Sequence, residues 1–247
     1  MRFGILAMAV AVLVACGDPA PPLPPKDSMT VDFSAMDNSG ALIDPNAKTH
    51  WTQAAVRVGI LNLWIGLGLT PEVAVFHAAF SQKPKATKEG WEWSYSVKNL
   101  QVDATATLSA KMDGKASVWE MRVNGKVGNE QLTNFLWYDG RYEVSTGHWQ
   151  IYNQAGKLVR IDWTVNSPTD KQLKFTNNTG TADDGAFVDY KLLADAASVS
   201  YDLKQNKQAD IAWSVSTKVG SITAADYTGH ENQKACWNAQ LFDAACP

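Results

Sequence analysis

Leu100-Gln101-Val102-Asp103-Ala104-Thr105-Ala106-Thr107-Leu108-Ser109-Ala110-Lys111-Met112 alternates apolar and polar residues at every step. Successive side chains of a strand point to opposite faces, so this run offers one face to a core and the other to water. The same period of two runs through Trp91, Trp93, Tyr95 and Val97 before it, and through Trp119, Met121 and Val123 after it. It returns in Val159, Ile161, Trp163 and Val165, and in Ala209, Ile211, Trp213 and Val215. Shorter runs lie at Leu132–Tyr138, Tyr142–Thr146, Trp149–Asn153, Leu173–Phe175, Phe187–Leu193 and Val199–Leu203.

The punctuation fits. Asp113-Gly114, Asn124-Gly125 and Asp139-Gly140 fall between such runs, and these dipeptides suit the positive φ angles of tight hairpins. Residues 153–156 and 205–207 read as slightly longer hairpin loops, and 177–185 as one long polar loop. Short links join antiparallel neighbours, which predicts a meander of about ten strands.

Residues 50–81 break the period. Trp51 to Leu69 is apolar almost throughout, with Arg57 and Asn62 its strongly polar members. Apolar residues all round the helical wheel predict burial on every side. Gly66 and Gly68 mark an end, and Thr70-Pro71-Glu72 a restart, with Thr as cap, Pro at the first helical position and Glu at the positive dipole end. A second helix then runs to about Ser81. Arg57, Asn62 and the two glycines interrupt the run before the roughly 20 clean residues a membrane span needs. A wide sheet with one apolar face must curl or be covered, and two apolar helices are material to cover it. The expected fold is mainly β: a curved antiparallel β-meander, half-barrel or barrel, packed on two N-terminal helices. Val56, Ile60, Leu63, Trp64, Phe76 and Phe80 on the helices, with Trp93, Trp119, Trp163 and Trp213 on the strands, are expected to line a ligand cavity between the two layers.

At the start of the chain, Arg2 precedes the apolar run Phe3–Val12, and Leu13-Val14-Ala15-Cys16 is followed by Gly17. This layout is that of a secretory signal peptide, and its last four residues resemble the lipobox of bacterial lipoproteins. The resemblance implies cleavage before Cys16 and acylation of that residue, hence a chain held to a membrane by its acyl chains. With Gly17 rather than Asp after the cysteine, the family's sorting rule favours the outer membrane over the inner. Residues 1–15 are then the signal peptide, 16–27 the lipidated cysteine with a proline-rich spacer that lifts the domain off the membrane, and 28–247 a single domain. Residues 26–49 read as loop, with a short strand near Met29–Phe33. In an oxidising compartment Cys236 and Cys246 form an even pair, expected to close a small loop as a disulfide.

Composition removes other classes. A formal charge of −3 over 247 residues, with no basic run, excludes nucleic acid as a natural partner. There is no nucleophile elbow, no His-Glu-x-x-His and no phosphate-cradling glycine loop. His50, His77, His148 and His230 stand apart in sequence, and Asn177, Asn178, Asp183 and Asp184 match no calcium loop. Glu120, Asp162 and Asp189 are carboxylates of solvated strand faces, short of the opposed pair that glycoside hydrolysis needs. No metal or cofactor is expected.

Two further resemblances concern shape. The element order over residues 50–230 is similar to that of the half-barrel family of envelope lipid and lipoprotein carriers, which implies an unclosed barrel holding acyl chains under a helical lid. Gly147-x-Trp149-x-x-Tyr152-x-x-x-Gly156-Lys157-Leu158 is similar to one unit of MORN-like hairpin proteins; occurring once, it implies only a hairpin. The expectation is a non-enzymatic cell-envelope lipoprotein that binds an apolar ligand or acyl chain. The alternatives are an interaction lipoprotein with a solid core, or a glycan-binding or glycan-cleaving protein.

Overall fold

The computed structural model describes residues 19–33, 36 and 49–247. Cys16 lies outside the described residues. Among the described residues a 3-10 turn (Lys26–Met29) and one α-helix, α1 (Thr49–Ala79), precede fourteen strands. The strands are β1 (Lys85–Thr87), β2 (Gly90–Lys98), β3 (Val102–Asp113), β4 (Ala116–Val127), β5 (Glu130–Glu143), β6 (Thr146–Asn153) and β7 (Gly156–Ser167). They continue as β8 (Asp170–Asn177), β9 (Phe187–Leu193), β10 (Ala196–Asp202), β11 (Gln208–Ser214), β12 (Gly220–Ala224), β13 (Ala235–Trp237) and β14 (Asp243–Ala244). All are antiparallel neighbours in chain order, and β1 and β14 do not pair, so the sheet is open. Both edges are short strands, which limits templated pairing with other chains.

The meander is thus present but wider than about ten strands. β2 to β11 coincide with the alternating runs, whereas β1, β12, β13 and β14 are too short to display a period. Two expected turns lie inside strands. Gly125 belongs to β4, at φ +136° beside an irregularity in its pairing with β5. Gly140 belongs to β5, which runs on from Leu132–Tyr138 through Tyr142 to Glu143, while the expected run Tyr142–Thr146 is cut by a turn at 144–145. The neighbours of Gly140 across the sheet are Trp119 on one side and Trp149 on the other. A Cβ at Gly140 would collide with the Trp149 indole and the His148 carbonyl. Tryptophan packing, and not a turn, demands this glycine. Gly147 under Trp163 and Gly220 under Trp237 repeat the arrangement.

The apolar face of the sheet is the buried one. Trp93 lies 5.4 Å from Trp119, and Trp149 lies 5.4 Å from both Tyr138 and Phe76 of the helix. Trp163 and Trp213 are buried in the same core. The interior is packed with side chains on two fronts. α1 supplies Ala54, Val58, Leu61, Ile65 and Leu69, the spacing of one helical stripe. The segment expected as loop supplies Met29, Phe33 and Met36, all buried. There Lys26–Met29 forms a single 3-10 turn, and residues 30–33 do not form the short strand expected near Met29–Phe33. Ser28 of that turn accepts a hydrogen bond from Trp149 Nε1 at 3.0 Å, and Asp27 pairs with the buried Lys171 at 2.9 Å.

The proline-rich stretch does not stand off from the domain. Pro21 and Pro24 are buried, and Ala20 and Leu23 pack against the core. At the far end of the chain Cys236 and Cys246 are joined as a disulfide.

One turn departs from its residue preferences. Val144, between β5 and β6, has φ +56°, where a β-branched side chain crowds its own backbone. Val144→Gly is expected to raise unfolding stability by about 1 kcal/mol in urea titration; an unchanged or lower midpoint would refute strain at this turn.

Candidate functional site

The two helices expected over residues 50–81 run on from one another as the two arms of a bent α1. Its arms Thr49–Gly66 and Gly68–Ala79 meet at 55°. Pro71 has no N–H to offer the carbonyl four residues back, and its ring crowds that carbonyl. Thr70 Oγ1 donates to the Gly66 carbonyl, one turn back within the bend. Among the described residues no single helix is long and apolar enough to cross a membrane, although the two bent arms together have the length and composition.

At the bend a cleft of about 200 Å³ opens between the helix and β7 and β8. Trp64, Ile65, Gly68 and Leu69 form one wall, and Leu158, Val159 and Phe175 the other, with Asn177 and Thr179 at the rim. An apolar cavity of about 150 Å³ is enough for a benzene ring. This cleft therefore suits a ring or a short length of acyl chain, and not a whole lipid.

The residues expected to line a cavity separate into three groups. Phe76, Trp93, Trp119, Trp163 and Trp213 fill the core, and Phe80 is half-buried at the end of the helix. Trp64 borders the cleft. Val56, Ile60 and Leu63, with Trp64, are between 55% and 60% and 52% exposed respectively, on the outer side of α1. Burial on all sides was the wrong inference for this helix, because an open sheet covers only one of its faces. Leu69, Val159 and Phe175 escaped the sequence reading as site residues; the Gly66, Gly68 and Pro71 punctuation was the signal that marked the bend.

One polar group is buried beside the second arm. Glu72 is 6% exposed, and its Oε1 accepts a hydrogen bond from Trp137 Nε1 at 2.9 Å. Trp137 reaches it because β5 carries an irregularity between its pairs with Met121 and Arg122. Glu72 Oε2 and the Tyr138 hydroxyl have no hydrogen-bond partner. Burial pushes the Glu72 carboxyl up from 4.5 to about 7, against hydrogen bonds from its own backbone N–H and from Trp137. Burial likewise raises Tyr95, whose hydroxyl donates to the Val75 carbonyl at 2.7 Å.

At the other end of α1, side chains distant in sequence meet. His50 Nδ1 and the Tyr227 hydroxyl are 2.7 Å apart, and the His50 and His230 rings are 5.0 Å apart. Asp243 Oδ1 accepts the His50 backbone N–H at 2.8 Å, and Arg57 pairs with Asp226 at 2.8 Å. A carboxylate on an amide of the first helical turn is a cap, satisfying one of the N–H groups that a helix leaves open. His50 Nε2 lies 3.9 Å from the Asp243 carboxylate, so the cluster ties the start of the helix to the last strands. No group of three or more metal-ligating side chains occurs among the described residues.

The strand carboxylates are also engaged. Asp162 pairs with Arg160 at 2.7 Å, Glu120 with Arg122 at 3.4 Å, and Asp189 accepts Gln172 Nε2 at 2.9 Å. They belong to the polar face of the sheet. The long loop 177–185 satisfies itself, with Asn177 Oδ1 accepting from Thr179 and Asp184 Oδ1 from the Gly180 N–H. A broader depression of about 900 Å³ runs past the ends of β10 to β13, lined by Leu193, Trp213, Val219 and Trp237 as well as by small side chains such as Ser198 and Ala212. It is open and offers an apolar ligand little enclosure. Both depressions are lined mainly by apolar surface, and the cleft at the helix bend is the smaller and more enclosed of the two.

No family model matches this chain, and neither a curated protein nor a solved structure matches it.

Proposed function

We infer that this is a cell-envelope lipoprotein, acylated at Cys16, which holds a short apolar group or part of an acyl chain at the bend of α1 and has no catalytic role. The observation that carries the reading is the cleft itself, with its walls of Trp64, Leu69, Val159 and Phe175. The core of the half-open sheet is occupied by the protein's own side chains, so the ligand site is a surface cleft, and the chain differs there from a carrier with a wide interior.

The test is native mass spectrometry of a form starting at Gly17, followed by solvent extraction. The described residues begin at Pro19, so this form contains all of them. Gly68 lines the cleft, and a Cβ there meets nothing within 4 Å. Gly68→Leu should therefore fill the cleft without a clash, and it also favours the helix. The wild-type form is expected to carry an apolar adduct that Gly68→Leu loses. A clean mass for the wild type, or an adduct that survives Gly68→Leu, would overturn the site.

A further inference from the structure

α1 presents its charges and its apolar residues the wrong way round for a helix facing water. Its two formally charged side chains, Arg57 and Glu72, both turn towards the sheet: Arg57 to Asp226, and Glu72 to Trp137. Between them the chain holds no ionisable residue. The outer side carries Val56, Ile60, Leu63 and Trp64, each more than half exposed, with Asn62 and Gly66 among them. Positions 56, 60, 63 and 64 share one face, and Val56 to Trp64 spans about 12 Å of helix. A water-facing side would normally carry the charges.

On the lipoprotein reading, the start of the chain brings a bilayer within reach of the domain. Residues 20–24 pack on the domain, so the link from Cys16 to Pro19 is three residues. An extended chain of that length reaches about 10 Å. An acyl group on Cys16 therefore holds the domain against the bilayer, and some surface of it must lie there. An uncharged apolar face carrying an indole is the chemistry of the bilayer interface.

We propose that the outer face of α1, through Val56, Ile60, Leu63 and Trp64, docks on the membrane surface. The proposal rests on the lipoprotein reading for its orientation. It places the mouth of the Trp64–Leu69 cleft beside the bilayer, so that an acyl chain enters it with little exposure to water.

Flotation with phosphatidylcholine vesicles tests this on the unacylated form starting at Gly17. That form is expected to float with vesicles. Ile60→Glu with Leu63→Glu, both exposed positions, should lower partitioning by at least about tenfold, while far-ultraviolet circular dichroism and the urea midpoint hold. Gly68→Leu should float as the wild type does, separating docking from cleft occupancy. Wild-type protein that stays with the soluble fraction, or a double variant that floats equally well, overturns the proposal. So does a concentration-dependent dimer in sedimentation that the double variant abolishes, since a second copy then covers the face. Mass spectrometry of full-length protein from cell membranes separates the two ideas: an unacylated Cys16 with intact flotation refutes the anchor and leaves the docking face.

Discussion

Glu72→Gln should stabilise the protein at alkaline pH and leave it little changed below pH 5. The wild-type carboxyl is raised from 4.5 to about 7 by burial. A raised acid binds its proton more tightly in the folded chain than in the unfolded one, so folding is favoured at low pH. Stability from this group is complete below about pH 4.5 and is lost as pH climbs through 7. A shift of this size corresponds to about 3 kcal/mol. Glutamine keeps an acceptor for Trp137 Nε1 and carries no charge at any pH. In urea titrations the two proteins should agree near pH 4.5 and diverge up to pH 8, with the variant more stable by up to about 3 kcal/mol. A difference that stays constant with pH would show that the Glu72 carboxyl is not the group that titrates. Because Glu72 lies one residue past Pro71, the same pH range is where the second arm of α1 is held least firmly.

The second large effect is expected at Trp149. Its indole is 1% exposed, rests over Gly140, touches Phe76 and Tyr138 and donates to Ser28. One side chain thus joins sheet, helix and the N-terminal turn. Trp149→Ala should cost about 3–5 kcal/mol, from lost burial and the cavity left behind. Ser28→Ala removes only the acceptor and should cost about 1–3 kcal/mol, because the indole N–H is then buried without a partner. Equal, small losses for both variants would mean that the knot relaxes and that the three elements are held elsewhere.

Much of the architecture can be read from periodicity alone. The alternation in residues 100–112 places Val102, Ala104, Ala106, Leu108 and Ala110 on the buried side of β3, as the structure has them. Hairpin order follows from short links. A strand's side chains alternate whatever surrounds it, so a one-sided sheet declares itself locally. The disulfide pair is likewise legible from the cysteines once Cys16 is set aside.

Glycine and helix burial are different in kind. Asp139-Gly140 has the composition of a turn, yet Gly140 sits mid-strand because an indole from the next strand occupies the space of its missing side chain. Residues 26–36 have no period, and their role as core filler comes from Met29, Phe33 and Met36 arriving beside strands far along the chain.

The sequence by itself determined the one-faced antiparallel meander, the interrupted apolar helical segment before it and the pairing of Cys236 with Cys246. Only the tertiary structure decided which side of α1 is covered, that the core is filled, and that the cleft lies at the helix bend. Side-chain period is a property of neighbouring residues, whereas coverage depends on whether the sheet closes. Here it stays open, and one apolar side of α1 is left facing out.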